Sequence, residues 1–347
     1  MNILAYSPYW HIRGGGEKYL LSCVEALLLG GHEVTIVSMS NVNIHQTISY
    51  FNISSNGIKF ATVHTQRQVR KLSANFDLFL CTVNFRKIKH KSPKAVYILQ
   101  VPFGGVLGKR PKQFLKNLVR TYTLVWLKKQ NVVVYSSFVK RSVERWGVKP
   151  TVIEPSADNF SSDLGKQKVI LSVGRIFCGG DNNKRYEDMI KAFKAFFSQT
   201  VGWEYHICGS CNDEKYLTRL REQSEGFPIF FHTDVNHTTL KYYYGIASIF
   251  WHGAGYGNNE RTHPERMEHF GISTVEAMSA GCVPVVYGGG AQPEIVGQGR
   301  IWYSLGTLVR LSLLTPTSKE RKYNIDRASI YSKESFGKKF LAYIESV

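Results

Sequence analysis

Residues 2–38 read NILAYSPYWHIRGGGEKYLLSCVEALLLGGHEVTIVS. Residues 2–7 form a short apolar run suited to a buried strand. Gly14, Gly15 and Gly16 then mark a turn. Leu20, Cys23, Val24, Leu27 and Leu28 recur at helical spacing, and Gly30-Gly31 ends that helix. Residues 34–38 are the next strand. Strand, glycine turn, helix, strand is the opening of a parallel α/β sheet.

The same rhythm runs outward from this unit. Apolar runs at 60–63, 78–83, 96–99 and 132–135 suit strands covered on both faces. Between the last two lies a basic amphipathic segment, 110–129, whose cations are Lys112, Lys116, Arg120, Lys128 and Lys129. It is expected to pack on the sheet and turn its cationic side toward a membrane surface or solvent. The periodicity lapses over 152–168, which reads as a linker. A second α/β half follows, with strands at 168–173, 205–208, 229–231, 249–251 and 283–287. Helices are expected through Met189–Phe196 and over 274–279, with a polar helical tail at 317–347. The predicted architecture is α/β, with two Rossmann-like doubly wound domains, 1–160 and 161–330, and a closing segment 331–347.

Size and composition agree. The chain has 347 residues, enough for two domains, and 43% of them are hydrophobic, enough to bury a sizeable core. No apolar run approaches a membrane span, and the start does not read as a signal peptide, so a cytoplasmic protein is expected. Cys208 and Cys211 make a C-x-x-C without a second pair, which argues against a zinc site. Residues 1–160 carry 22 Lys+Arg against 7 Asp+Glu, while 161–347 carry 22 against 19. The basic half is suited to an anionic partner: lipid head groups, a phosphorylated acceptor or nucleic acid.

Parallel sheets bind ligands at the carboxyl ends of their strands, so the chemistry is sought on loops there. Gly14-Gly15-Gly16-Glu17 lets backbone N–H groups approach a phosphate at a helix start. It is not the G-x-G-x-x-G dinucleotide fingerprint, and a plain flexible turn is its alternative reading. Arg175 follows a strand end, and Lys184 follows the loop Cys178-Gly179-Gly180-Asp181-Asn182-Asn183. Two such cations are able to clamp a diphosphate. The sharpest stretch is Glu268-His269-Phe270-Gly271-Ile272-Ser273-Thr274-Val275-Glu276. Gly271 marks a helix start, with Ser273 or Thr274 as its cap. N–H groups there would face a phosphate, and Glu276 could accept hydrogen bonds from ribose hydroxyls. His11, His252 and His263 lie in plausible loops.

The stretch 268–276, followed by Ala277-Met278-Ser279-Ala280-Gly281-Cys282-Val283-Pro284-Val285-Val286, resembles the E-x7-E signature of glycosyltransferase family 4. The glycine turn at 14–19, the passage 136–155, the strand end Ser172-Val173-Gly174-Arg175 and the segment 289–296 resemble other parts of that family, in its order. Ser7-Pro8-Tyr9 with Gly14-Gly15-Gly16-Glu17, and the wording around 268–271, look closest to the lipid-linked-oligosaccharide mannosyltransferases and their bacterial relatives.

This resemblance implies a GT-B fold, with a nucleoside-diphosphate sugar held mainly by the second domain and the acceptor by the first, in a cleft. It implies a retaining transferase that needs no metal or cofactor. Arg175 and Lys184 match diphosphate contacts, Glu276 the ribose contact and Glu268 the carboxylate near the donor sugar. Phe270, Gly271 and Ile272 would reach the donor, with Gly14, Gly15 and Gly16 at the N-terminal loop. A terminal helix at 331–346 would return to the first domain. The resemblance favours GDP-mannose and leaves UDP-sugars open. Gln100 stands where the family often places a histidine. It can hydrogen-bond a hydroxyl but cannot act as acid or base. With His11, His252 and His263 it is a candidate acceptor or sugar contact. The expected partners are the sugar nucleotide, a glycan or lipid-linked acceptor, and an anionic membrane surface at the cytoplasmic face. A nucleic-acid partner lacks a recognisable motif. A catalytically silent GT-B scaffold is the remaining alternative.

Overall fold

The computed structural model describes residues 1–12, 14–84, 86–103, 111–178 and 183–347. Residues 179–182 of the loop before Lys184, and Arg110 at the head of the basic segment, lie outside the described residues. The side chains of Lys112 and Lys116 do so as well. The chain forms two compact units. One comprises Met1–Ser156 with Lys333–Val347, the other Ala157–Ser332.

The first unit is built on a parallel sheet of seven strands. These are β1 Asn2–Tyr6, β2 Glu33–Met39, β3 Ile58–Val63, β4 Leu78–Val83, β5 Lys94–Leu99, β6 Asn131–Val134 and β7 Thr151–Val152. Their order is β3-β2-β1-β4-β5-β6-β7. The sequence does announce this sheet. β1 and β4 are almost wholly buried, as continuous apolar runs require when helices cover both faces. The helix Gly15–Leu29 packs against the helix Lys333–Ser346 of the same unit. Tyr19 meets Phe336 edge-on at 5.3 Å, and Lys333 pairs with Glu25 at 3.7 Å. Gly30 ends the first helix and makes room there, since a Cβ on it would come within 2.6 Å of Leu341.

The second unit repeats the plan with β8 Gln167–Val173, β9 Glu204–Gly209, β10 Ile229–Thr233, β11 Ala247–His252, β12 Val283–Tyr287 and β13 Arg300–Trp302. All pairings are parallel, in the order β10-β9-β8-β11-β12-β13. Alternate residues of β8 serve different cores. Ile170 packs with Tyr186, Met189 and Phe193 on one face, while Val169 and Leu171 pack with Tyr244 and Ala277 on the other. Each such side chain contributes roughly 1.5–3 kcal/mol when fully buried, and this burial on both faces fixes the strand register.

In both sheets the strand order reverses beside the first strand, between β1 and β4 and between β8 and β11. At such a switch point the loops diverge to opposite faces and leave a crevice at the carboxyl ends. The residues that end β8 and β11 are therefore placed at the crevice of the second unit.

Candidate functional site

β11 ends in His252, and β8 runs out through Gly174 into Arg175. Lys184 precedes the helix Tyr186–Phe197, and its aliphatic stem lies along Gly174, where a Cβ would be 2.9 Å from its Cε. Gly209 at the end of β9 comes closer still. A Cβ there would stand 1.9 Å from the Gly174 carbonyl oxygen. Two glycines thus let adjacent strand ends and the Lys184 stem share one small space.

Glu268 is the centre of the site. Its Oε2 lies 2.5 Å from Lys184 Nζ and 2.9 Å from His252 Nε2. All three side chains are largely removed from solvent, with 15%, 2% and 8% of Lys184, His252 and Glu268 exposed. Burial alone would raise the Glu268 carboxyl, but Lys184 and His252 outweigh it and hold it well below the ordinary carboxylate range. His252 moves down from its usual 6.5, first through burial and then through Lys184, with Glu268 opposing. At neutral pH the carboxylate is ionised and the imidazole is neutral. Since the carboxylate can only accept, His252 donates from Nε2. Among the described residues its buried Nδ1 has no hydrogen-bond partner.

The helix that follows, Ile272–Ser279, starts differently from the expectation. Its N-cap is Gly271, at φ 105°, and no side chain caps it. Thr274 Oγ1 instead donates to Gln292 Oε1 at 3.0 Å, and Gln292 Nε2 donates to the Phe270 carbonyl at 3.4 Å. Gly271 is required twice over, because a Cβ would strike Gln292 Nε2 at 2.1 Å and the left-handed backbone disfavours any other residue. Without a side-chain cap the first N–H groups of the helix remain suited to an anion. Gly290, at φ 71°, lets its loop touch the Glu268 backbone. A Cβ there would be 2.4 Å from the Glu268 carbonyl oxygen.

Glu276 is one of the helix's buried residues, and its Oε2 accepts from Tyr244 OH at 3.0 Å. Arg175 is exposed and lies over the Phe177 ring at 5.1 Å. His263, just before the single turn Pro264–Arg266, pairs with Glu265 of that turn at 3.0 Å. Lys184, His252 and Glu268 are therefore brought into one contact network, with Arg175 next to the glycine that carries the Lys184 stem. Glu276 is tied to Tyr244, and His263 to Glu265.

The remaining candidates belong to the first unit. Gly14 is the N-cap of the helix Gly15–Leu29, so Gly15 and Gly16 lie in its first turn. The Gly14 N–H donates to Glu17 Oε2 at 3.1 Å, and Ser7 Oγ donates to Glu17 Oε1 at 3.4 Å. Burial pushes the Glu17 carboxyl up to about 7, against the pull of the Gly14 N–H. Gln100 follows β5 and covers Gly16, where a Cβ would meet its amide nitrogen at 2.0 Å. Its Oε1 accepts from Asn84 Nδ2 at 2.8 Å. His11 is exposed in the single turn Trp10–Ile12.

Several of these roles escaped the reading of the sequence. Tyr244 as partner of Glu276, and Gln292 as partner of Thr274, are contacts between elements that local spacing does not encode. The close approach of Gly174 and Gly209 had a visible signal, a glycine at the end of two successive strands.

Comparison with known proteins bears on this arrangement. Residues 156–309 match the family model described as Glycosyl transferases group 1, a stretch that contains Arg175, Lys184, His252, Glu268 and Glu276. No curated protein matches the chain. Among solved structures, the chain is similar to HepE from Anabaena in complex with UDP and glucose. The identity is 14% and the TM-score 0.70, covering 100% of this chain and 99% of that one. It is similar to an α,α-trehalose-phosphate synthase (UDP-forming) from Burkholderia vietnamiensis at 10% identity and TM-score 0.70, covering 100% of both chains. A third is AviGT4, a glycosyltransferase involved in avilamycin A biosynthesis, at 12% identity and TM-score 0.62, covering 99% and 96%. The fold is GT-B. Residues 156–309 are thus similar to a glycosyl transferase domain, within a chain whose fold as a whole is GT-B.

Proposed function

We propose that the chain is a retaining glycosyltransferase that moves a sugar from a nucleoside diphosphate to a hydroxyl of a glycan or lipid-linked acceptor, without a metal. The observation that carries this reading is the buried Lys184–Glu268–His252 network at the ends of β8 and β11, inside the matched stretch. We assign donor binding to the second unit and acceptor recognition to the first. The donor is taken to be a UDP-sugar, since HepE is described with UDP and glucose and the trehalose-phosphate synthase as UDP-forming. GDP-mannose is the competing donor.

In this reaction the bond from the anomeric carbon to the β-phosphate oxygen breaks, and a bond to the acceptor oxygen forms. The acceptor proton passes to the departing phosphate. Negative charge grows on the diphosphate as it leaves. Lys184, Arg175 and the uncapped N–H groups after Gly271 would meet that charge, and such preorganised donors stabilise a transition state without rearranging. Glu268 holds Lys184 and His252 in place before the donor arrives. Glu276, tied to Tyr244, is assigned to the ribose.

Lys184→Ala is expected to lower turnover by roughly 10²–10³ while the fold survives. Wild-type turnover in that variant would refute the assignment. Thermal stability with UDP, GDP and ADP distinguishes the donors. A true ligand at 100 times its dissociation constant adds about 2.7 kcal/mol. Stabilisation by GDP and not by UDP would replace the uridine reading with GDP-mannose.

A further inference from the structure

The helix Pro111–Leu127 turns apolar side chains outward and polar ones inward. The side that faces the first unit's interior carries Asn117, Arg120 and Thr123, each less than 5% exposed, beside Leu124 and Leu127. The outward side carries Phe114, Leu115, Leu118, Val119, Tyr122 and Val125, exposed by 47%, 62%, 51%, 37%, 63% and 49%. These positions recur at three- and four-residue steps and form one stripe along about three turns. The sequence reading had the cationic side facing outward. Lys128 and Lys129 are exposed as expected, but Arg120 turns inward over the Phe103 ring, at 5.3 Å, and an apolar side meets solvent. A contiguous apolar stripe of this length on a folded surface calls for a cover.

The charge around the stripe selects the cover. Between Asp77 and Glu144 the sequence has 14 Lys and Arg and no Asp or Glu. Lys128 and Lys129 follow the helix directly and are exposed, and Lys87 lies over the Trp126 ring at 5.3 Å. A second copy of the chain would set this basic field against itself, in a protein of net charge +18. A bilayer with anionic head groups offers the opposite: hydrocarbon for the stripe and negative charge for its flanks. Among the described residues no helix is long and apolar enough to cross a membrane, so this helix would lie in the surface rather than span it.

We infer that the outward face of the helix Pro111–Leu127 docks the protein on an anionic lipid bilayer, by inserting Leu115, Leu118 and Tyr122 among the acyl chains while the flanking lysines bind head groups. This goes beyond the donor chemistry and does not depend on it, since it is read without substrate.

The test is co-sedimentation of the full chain with vesicles of phosphatidylcholine alone, or of phosphatidylcholine and phosphatidylglycerol in equal parts. The wild type is expected to bind the anionic vesicles. The Leu115→Gln/Leu118→Gln/Tyr122→Gln variant is expected to bind them about tenfold more weakly or less, with an unchanged circular dichroism spectrum. Lys128→Glu/Lys129→Glu is expected to weaken binding to the anionic vesicles only. If the triple variant unfolds, single Leu118→Gln is used, with a smaller loss expected. No binding by the wild type, or wild-type binding by a folded apolar-face variant, overturns the inference. A wild-type dimer in light scattering that the triple variant converts to a monomer, with vesicle binding unchanged, overturns it in favour of self-association.

Discussion

Lys184 Nζ lies 2.5 Å from Glu268 Oε2 although 84 residues separate the two. One precedes the helix Tyr186–Phe197 and the other the helix Ile272–Ser279, so two helix approaches are locked together at one carboxylate oxygen. The same oxygen receives His252 from the end of β11. A buried ion pair of this kind is a poor source of net stability, because desolvating both charges offsets most of their attraction. Its effect is positional: it holds a cation at a strand end with little freedom to move.

Removing one partner exposes that balance. Glu268→Gln takes the carboxylate away from the largely buried Lys184 ammonium and is expected to cost about 3 kcal/mol. Lys184→Met leaves the carboxylate with His252 alone and should cost a similar amount. In the double variant the losses should not add, with a coupling on the order of 1–3 kcal/mol. Urea denaturation of the four proteins measures this. Additive losses would mean that the two groups do not interact in solution.

The two buried glutamates should shift stability with pH in opposite directions. Glu268 is held below its ordinary 4.5, so its contribution is present above that value and is lost as the pH falls through its folded value. Glu17 is raised from 4.5 to about 7 by burial. Between those values the folded state keeps a proton that the unfolded chain has released, so stability falls as pH rises through the window and then levels off. Glu17→Gln cannot ionise. Relative to the wild type it should gain up to about 3 kcal/mol between pH 4.5 and 8. A pH-independent difference between the two proteins would place the Glu17 carboxyl at its ordinary value.

How far the sequence led differs by level. Buried parallel strands are continuous apolar runs, so 78–83 and 283–287 coincide with β4 and β12 to the residue. Short edge strands carry no such run. β7 has two residues and β13 three, and both were missed for want of periodicity. The start of Ile272–Ser279 was misread at its cap, because Thr274 is recruited by Gln292, 18 residues away, and not by its own backbone. His252 stood among several loop histidines, since nothing local in its sequence points to Glu268. Side chains that meet across a sheet are specified by strand order, and strand order is not written in any single segment.

Strand-end glycines give a test of that geometry. At Gly16 and Gly209 an added methyl would meet a neighbour at about the same distance, 2.0 and 1.9 Å. The neighbours differ in kind. Gly16 faces the end of the Gln100 side chain, which can rotate away from Asn84, whereas Gly209 faces the Gly174 backbone. Gly209→Ala must therefore part β8 from β9 and should cost about 3 kcal/mol, at the upper end of overpacking effects, while Gly16→Ala should cost about 1 kcal/mol. Thermal unfolding ranks the two. The reverse order would show that the strand ends are not in contact as described.

His252 yields the sharpest check on the protonation of the site. If Glu268 is ionised, His252 must carry a proton on Nε2, because a carboxylate oxygen accepts only from a donor at 2.9 Å. The imidazole is buried, and its folded value lies below 6.5, so it should take up a proton only under more acidic conditions than an exposed histidine. The sign for stability follows. The unfolded chain binds that proton first, so the contribution of His252 is full above 6.5 and is lost as the pH falls below it. Nitrogen NMR of labelled protein reads both properties at once, and Glu268→Gln should alter them. An amide can donate as well as accept, so the preference for Nε2–H weakens. The loss of the carboxylate also removes the one influence that favours the imidazolium, and His252 should titrate lower still. A doubly protonated ring at neutral pH in the wild type would contradict the arrangement, since among the described residues it would place two cations against the one carboxylate of Glu268.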